Sequence, residues 1–205
     1  EMSGGRAILG LGGAWFGLEH TAFGIDFGTG FGQRLDWMDE ATAAIRSLLD
    51  GETVSSNGDG RYDFSDLHLN PLPVQEHLPI MIGGSGEKKT LRTVAAYADQ
   101  WNAFGSPETL AHKDEVLRGH CADVGRNPDE IERTVGAKIV IRETEAEARR
   151  VLEDLMEHNR TPMANIEDDE TFWVGTAGEM TEIAVKVLDD RGNELLVVRS
   201  LDEAE

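Results

Sequence analysis

The chain has 205 residues, 40% of them hydrophobic, with a formal net charge of −20. That length suits one globular domain with a real core, taken as residues 1–205. The acidic balance excludes nucleic acid as a partner, because a phosphate backbone needs clustered Lys and Arg. No 18-residue apolar run is present, so no membrane span is expected.

The composition holds one cysteine, Cys121, which cannot close an intrachain disulfide. A reduced, cytoplasmic setting is therefore the expectation. In chain order, the first element is a buried strand at residues 7–11 (AILGL), which ends in Gly12-Gly13-Ala14-Trp15. A strand this close to Glu1 has no preceding partner, and a truncated N-terminus is expected. Leu35, Met38, Thr42, Ile45, Leu48 and Leu49 then recur at helical spacing between residues 31 and 50, and Gly51 stands where a left-handed C-terminal cap is wanted. Residues 52–67 carry Asn57-Gly58-Asp59-Gly60 between two short alternating runs, the pattern of an inserted β-hairpin.

A second strand is expected at residues 80–82, with a helix from Glu87 to Ala98. The strand at residues 101–104 follows, and Ser106-Pro107 opens a helix whose inner stripe includes Leu110, Leu117, Cys121 and Val124. Residues 135–141 read as one strand. Thr144 with Glu147 and Thr176 with Glu179 form two capping boxes, each opening a helix. Residues 161–170 are irregular and acidic, and residues 195–198 form the last apolar run. Such alternation specifies a parallel α/β architecture, either an open doubly wound sheet or a barrel.

The stretch PIMIGGSGEKK (residues 79–89) is the most informative. Gly83, Gly84, Ser85 and Gly86 let the chain turn with main-chain N–H groups unobstructed by Cβ atoms, and a helix points its positive end at the same spot. Together these form an anion site. Lys88 and Lys89 sit in what reads as the helix's first turn, where an anionic ligand accounts for their charge. A Walker loop is excluded because Glu87 stands before the first lysine, and a dinucleotide fingerprint is excluded because Lys89 occupies a small-residue position. Trp101 and Asn102 arrive at the same rim from the next strand. His20 follows the first strand closely and is the candidate proton donor. No histidine pair has ligand spacing, so no metal is expected.

Three segments, GGRAILGLGGAW, LNPLPVQEHLPIMIGGSGEKKTLRTVAAYADQWNAF and WVGTAGEMTEIAV, together resemble the bacterial luciferase-like monooxygenase superfamily, and within it the oxidoreductases that use the deazaflavin coenzyme F-420. That resemblance implies a TIM barrel of luciferase-like type, here incomplete, holding strands 4 to 8 but not the first three, with the hairpin as an insertion. It implies a hydride transfer to or from a small organic substrate, with coenzyme F-420 as cofactor. An FMN-dependent monooxygenase of the same fold is the alternative. By the same resemblance Gly83 to Gly86 hold a phosphate, with Lys88, Lys89, Trp101 and Asn102 as neighbours, and Gly12 and Gly13 line the cofactor pocket. In the sugar-phosphate dehydrogenase branch an acidic residue aligns with Trp15. An indole transfers no proton, so that branch is not expected. A barrel with open edges would also self-associate, and a further alternative is a barrel fragment without independent activity or a non-catalytic module that pairs with another chain.

Overall fold

The computed structural model describes residues 3–181. The chain divides into two compact units, residues 1–102 with 115–132, and residues 103–114 with 133–205.

In the first unit, β1 (Leu9–Gly12), β2 (Ile80–Gly83) and β3 (Gln100–Ala103) pair in parallel. The register sets Leu11 beside Ile82 and Ile82 beside Trp101 on one face, and Gly12 beside Gly83 and Gly83 beside Asn102 on the other. The first face carries the core. Ile80, Ile82, Leu91, Val94, Ala95, Ala98, Leu117, Cys121 and Ile131 are all fully buried. The helix α2 (Phe31–Leu49) packs on β1 through a stripe that buries Leu35, Met38 and Thr42. The Thr42 hydroxyl donates to the Met38 carbonyl at 2.6 Å, so this core-facing polar group is satisfied within its own helix. As the spacing predicts, α2 ends before Gly51, which has φ +84°.

Three features of this unit depart from expectation. A short helix, α1 (Gly17–Phe23), follows β1 and buries none of its residues, so no apolar stripe marks it in the sequence. The hairpin over residues 52–67 reduces to a single antiparallel bridge between Val54 and Leu67. Its tip is held by the carboxylate of Glu40, which accepts from the N–H groups of Arg61 at 2.8 Å and Tyr62 at 3.1 Å. Helix α3 spans Thr90–Tyr97 and does not start at Glu87: residues 87–89 form a turn, and the Leu91 N–H reaches back to the Gly86 carbonyl at 3.0 Å.

In the second unit, β5 (Lys138–Arg142) and β6 (Phe172–Thr176) pair in parallel, joined by α5 (Glu145–His158). The Thr144 hydroxyl caps α5 by accepting from the Glu147 N–H. Helix α5 covers the pair with Ala148, Leu152 and Met156 packed among Val140 and Ile166. The single strand expected over residues 135–141 is two strands, β4 (Glu132–Val135) and β5, with Gly136 between them standing where a Cβ would run into the Phe104 ring. β6 was not expected as a strand. Helix α4 (Pro107–Val124) forms as predicted. The apolar run at residues 195–198, and the helical stripe beyond residue 181, lie outside the described residues.

Candidate functional site

The second face of the first unit's sheet ends in a row of three predicted site residues, Gly12, Gly83 and Asn102, side by side at the C-terminal ends of β1, β2 and β3. A Cβ would fit at either glycine of the row with ordinary contacts. A Cβ at Gly12 would stand 3.9 Å from the Gly83 carbonyl oxygen, and one at Gly83 would stand 3.8 Å from that of Leu11. In parallel α/β folds this end of the strands carries the site.

Beyond the row the chain turns at Gly84, whose φ of +123° excludes ordinary side chains. Its N–H donates to the Asn102 carbonyl at 2.9 Å, which sews the loop to β3. A Cβ at Gly86 would lie 2.9 Å from the Thr90 hydroxyl oxygen, so the loop must approach the start of α3 without one. Among the described residues the N–H groups of Ser85 and Gly86 donate to no protein acceptor. Two unpaired donors ahead of a helix start are main-chain groups of the kind that can receive an anion.

The two lysines part company. Lys89 donates to the Asp36 carboxylate at 2.7 Å and to the Gly32 carbonyl at 2.9 Å, which ties the turn before α3 to α2. Lys88 is exposed and forms no ion pair or hydrogen bond among the described residues. Trp101 lies on the core face and is only 2% exposed. Its indole N–H donates to the Gly84 carbonyl at 2.7 Å, so it shapes the cradle from beneath and offers no open ring face.

At the end of β1, a Cβ at Gly13 would meet Leu35 at 2.7 Å, and Ala14 holds a left-handed φ of +52°. The following side chains are apolar and outward. Trp15 is 83% exposed, and Phe16, Leu18, Phe23, Ile25 and Phe31 are exposed as well. His20, on α1, places Nδ1 3.1 Å from the Phe16 carbonyl. A carbonyl only accepts, so Nδ1 carries the proton and Nε2 is the nitrogen left for exchange. The His20 ring packs on Phe27 with centroids 4.6 Å apart.

Arg34 and Asp36 belong to this site although nothing in their spacing marks them. The Arg34 guanidinium lies 3.8 Å over the Phe27 ring and donates to main-chain carbonyls. Such partners, seven and twenty residues upstream, leave no trace in side-chain periodicity.

The profile of the family described as luciferase-like monooxygenase matches residues 1–204. The chain belongs to the luciferase-like monooxygenase family. An uncharacterized protein of Mycobacterium tuberculosis is 31% identical over 127 residues, which are 62% of this chain and 43% of that protein. An FMNH(2)-dependent dimethylsulfone monooxygenase of Pseudomonas putida is 26% identical over 164 residues, 76% of this chain and 42% of that enzyme. The chain thus matches less than half the length of these curated relatives. Among solved structures, an F-420-dependent secondary alcohol dehydrogenase in complex with an F-420–acetone adduct superposes with a TM-score of 0.70 at 18% identity, covering 91% of this chain and 62% of that one. The fold is the α/β fold of this family, whose members are oxidoreductases and monooxygenases. Among the described residues no helix is long and apolar enough to cross a membrane.

Proposed function

We propose that the chain is the part of an F-420-dependent oxidoreductase that holds the cofactor's phosphate and one side of its ring, serving hydride transfer to or from a small organic substrate. The observation that carries this reading is the cradle after β2. Gly84 has a positive φ, Gly86 has no room for a Cβ, and among the described residues two N–H donors are unpaired and Lys88 is uncommitted. These features suit a phosphate group. Ser85, Gly86 and Lys88 would hold it, with Trp101 and Asn102 fixing Gly84 behind them. Gly12, Gly13 and Gly83 leave backbone bare at the ends of the strands, where a flat ring needs close approach.

The bound cofactor supplies a carbon or nitrogen centre that accepts or returns a hydride, which leaves the protein mainly the task of orientation. When an alcohol is oxidised, the C–H bond gives up its electron pair with the hydrogen and the O–H proton must go to a base. His20 Nε2 is the visible group for it. The strands β1 to β3 fit strands 4 to 6 of a luciferase-like barrel, with Trp15 in place of the acidic residue of the sugar-phosphate branch.

The FMN reading is favoured by one finding, the FMNH(2)-dependent relative of P. putida. Fluorescence titration of the purified chain with coenzyme F-420 and, separately, FMN decides between them. The Lys88→Glu variant and the Gly84→Asp variant are the controls. Preferential F-420 binding, lost in both variants, is expected. Tighter binding of FMN would replace the cofactor assignment, and binding of either cofactor that survives both substitutions would remove the cradle from the site.

A further inference from the structure

Arg34 is an unusual cation for an acidic protein. It pairs with no carboxylate among the described residues, although the chain has 39 acidic residues. Its Nε lies 3.3 Å from the Gly13 carbonyl oxygen and 3.1 Å from that of Ala14, and its Nη1 lies 3.1 Å from that of Phe27. Two successive carbonyls, Gly13 and Ala14, therefore converge on one guanidinium. The left-handed φ of Ala14 allows this, and it is a costly conformation for a residue with a Cβ.

The consequence follows from peptide planarity. The one cis peptide among the described residues is Asn70-Pro71, so the bonds joining Gly13 to Ala14 and Ala14 to Trp15 are trans. In a trans peptide the N–H points opposite to the C=O. Fixing the carbonyls of Gly13 and Ala14 toward Arg34 turns the N–H groups of Ala14 and Trp15 away from it. Neither N–H donates to any acceptor among the described residues. Both lie just beyond the end of β1, two and three residues after Gly12, whose register neighbour is Gly83. The cation behind them polarises both peptide units and strengthens them as donors.

We propose that Arg34 is a positioning residue that builds a two-donor oxygen site from the N–H groups of Ala14 and Trp15, and that this site takes a carbonyl oxygen on which negative charge develops. The inference deepens the proposed function and rests on it for the identity of that oxygen, which belongs either to the cofactor ring or to a carbonyl substrate. Preorganised N–H pairs of this kind stabilise charge most where water is excluded. The exposed apolar side chains of Trp15, Phe16 and Leu18 that follow the pair are suited to excluding it.

The test is an amide-resolved NMR titration of the wild-type chain with sodium acetate, repeated with oxidised and reduced FMN and with F-420. In acetate, saturable downfield shifts of the Ala14 and Trp15 amide protons are expected. They should weaken about tenfold or more in Arg34→Ala, the loss of roughly one hydrogen bond's worth of orientation. Arg34→Lys keeps the charge without the fork and should recover only part of the affinity. If Arg34→Ala does not fold, the lysine variant carries the comparison. Unshifted amides in acetate, or acetate binding in Arg34→Lys equal to wild type, would overturn the site. Acetate binding without either cofactor binding would sink the proposed function and leave this inference standing. With a cofactor bound, loss of the acetate response assigns the ring oxygen, and persistence assigns a substrate carbonyl. A ratio of reduced to oxidised FMN affinity that drops in Arg34→Lys is a further expected readout, because a merely structural role would weaken both forms alike.

Discussion

The indole N–H of Trp101 donates to the carbonyl of Gly84 across 2.7 Å, joining the buried face of β3 to the turn that follows β2. Trp101→Phe keeps an aromatic ring in the core but removes the N–H donor together with part of the buried bicycle. The expected cost is about 2–3 kcal/mol of stability, the lost hydrogen bond plus the void left behind. Phosphate-bearing cofactors should bind several-fold less tightly, because the Gly84 peptide would be free to rotate. Urea unfolding together with a cofactor titration checks both. A variant with full cofactor affinity would show that the loop is rigid without Trp101.

The two lysines of the cradle should separate in their effects. Lys88→Gln removes an uncommitted charge and should weaken binding of a phosphate-bearing cofactor with little change in unfolding temperature. Its loss should shrink as salt is raised, since screening already weakens an exposed attraction. Lys89→Gln breaks the tie to Asp36 and the Gly32 carbonyl. Here a lower unfolding temperature is expected, with a smaller and less salt-dependent loss of affinity. Matched salt series on the two variants make the comparison.

Long elements were legible in the sequence because many weak signals agreed over several turns. Helix α2 has a full apolar stripe and a C-terminal glycine, and α5 has a capping box that forms as written. The helix α1 carries Leu18 and Phe23 outward and buries nothing, so periodicity had nothing to detect. β6 is only five residues long and stands between an acidic run and a capping box, where Phe172 and Val174 face α5 while Trp173 turns to the other side. The glycines at the strand ends were visible because they interrupt short apolar runs. Lys88 and Lys89 looked equivalent, and only the position of Asp36 in space distinguishes them. Arg34 was silent because its partners are carbonyls.

At the opposite end of the strands, the Asp99 carboxylate gathers three donors. Oδ2 accepts from the Ile80 N–H at 2.8 Å and lies 3.3 Å from Arg46 Nη1, while Oδ1 is 2.7 Å from His77 Nε2. Side-chain exposure is 14% for Arg46 and 24% for Asp99, so this pair is shielded enough to matter. Asp99→Asn leaves the Arg46 guanidinium with the half-exposed Asp50 as its carboxylate partner among the described residues, beside the Leu78 carbonyl it also donates to. A loss of about 1.5–3 kcal/mol is expected from weakening hydrogen bonds to a charged group. Cofactor affinity should not change, because in such folds the N-terminal ends of the strands serve stability. Chemical denaturation and a cofactor titration on one variant test both halves.

The capping box at Thr176 predicts a local response to acid. The Glu179 carboxylate accepts from the Thr176 N–H at 2.7 Å and from its hydroxyl at 2.9 Å. These bonds, the main-chain one foremost, hold its pKa below the ordinary 4.5. A carboxyl depressed in the folded state contributes its stabilisation fully above its unfolded value, and loses it as pH falls through the folded one. Protection of the Thr176 amide against hydrogen exchange, corrected for intrinsic rate, should therefore hold at neutral pH and decline once pH drops below that ordinary value. Glu179→Gln still accepts from the same N–H but does not titrate, so its protection should be somewhat lower at neutral pH and flat across the same range. An equally steep decline in the glutamine variant would place the acid response in other carboxylates.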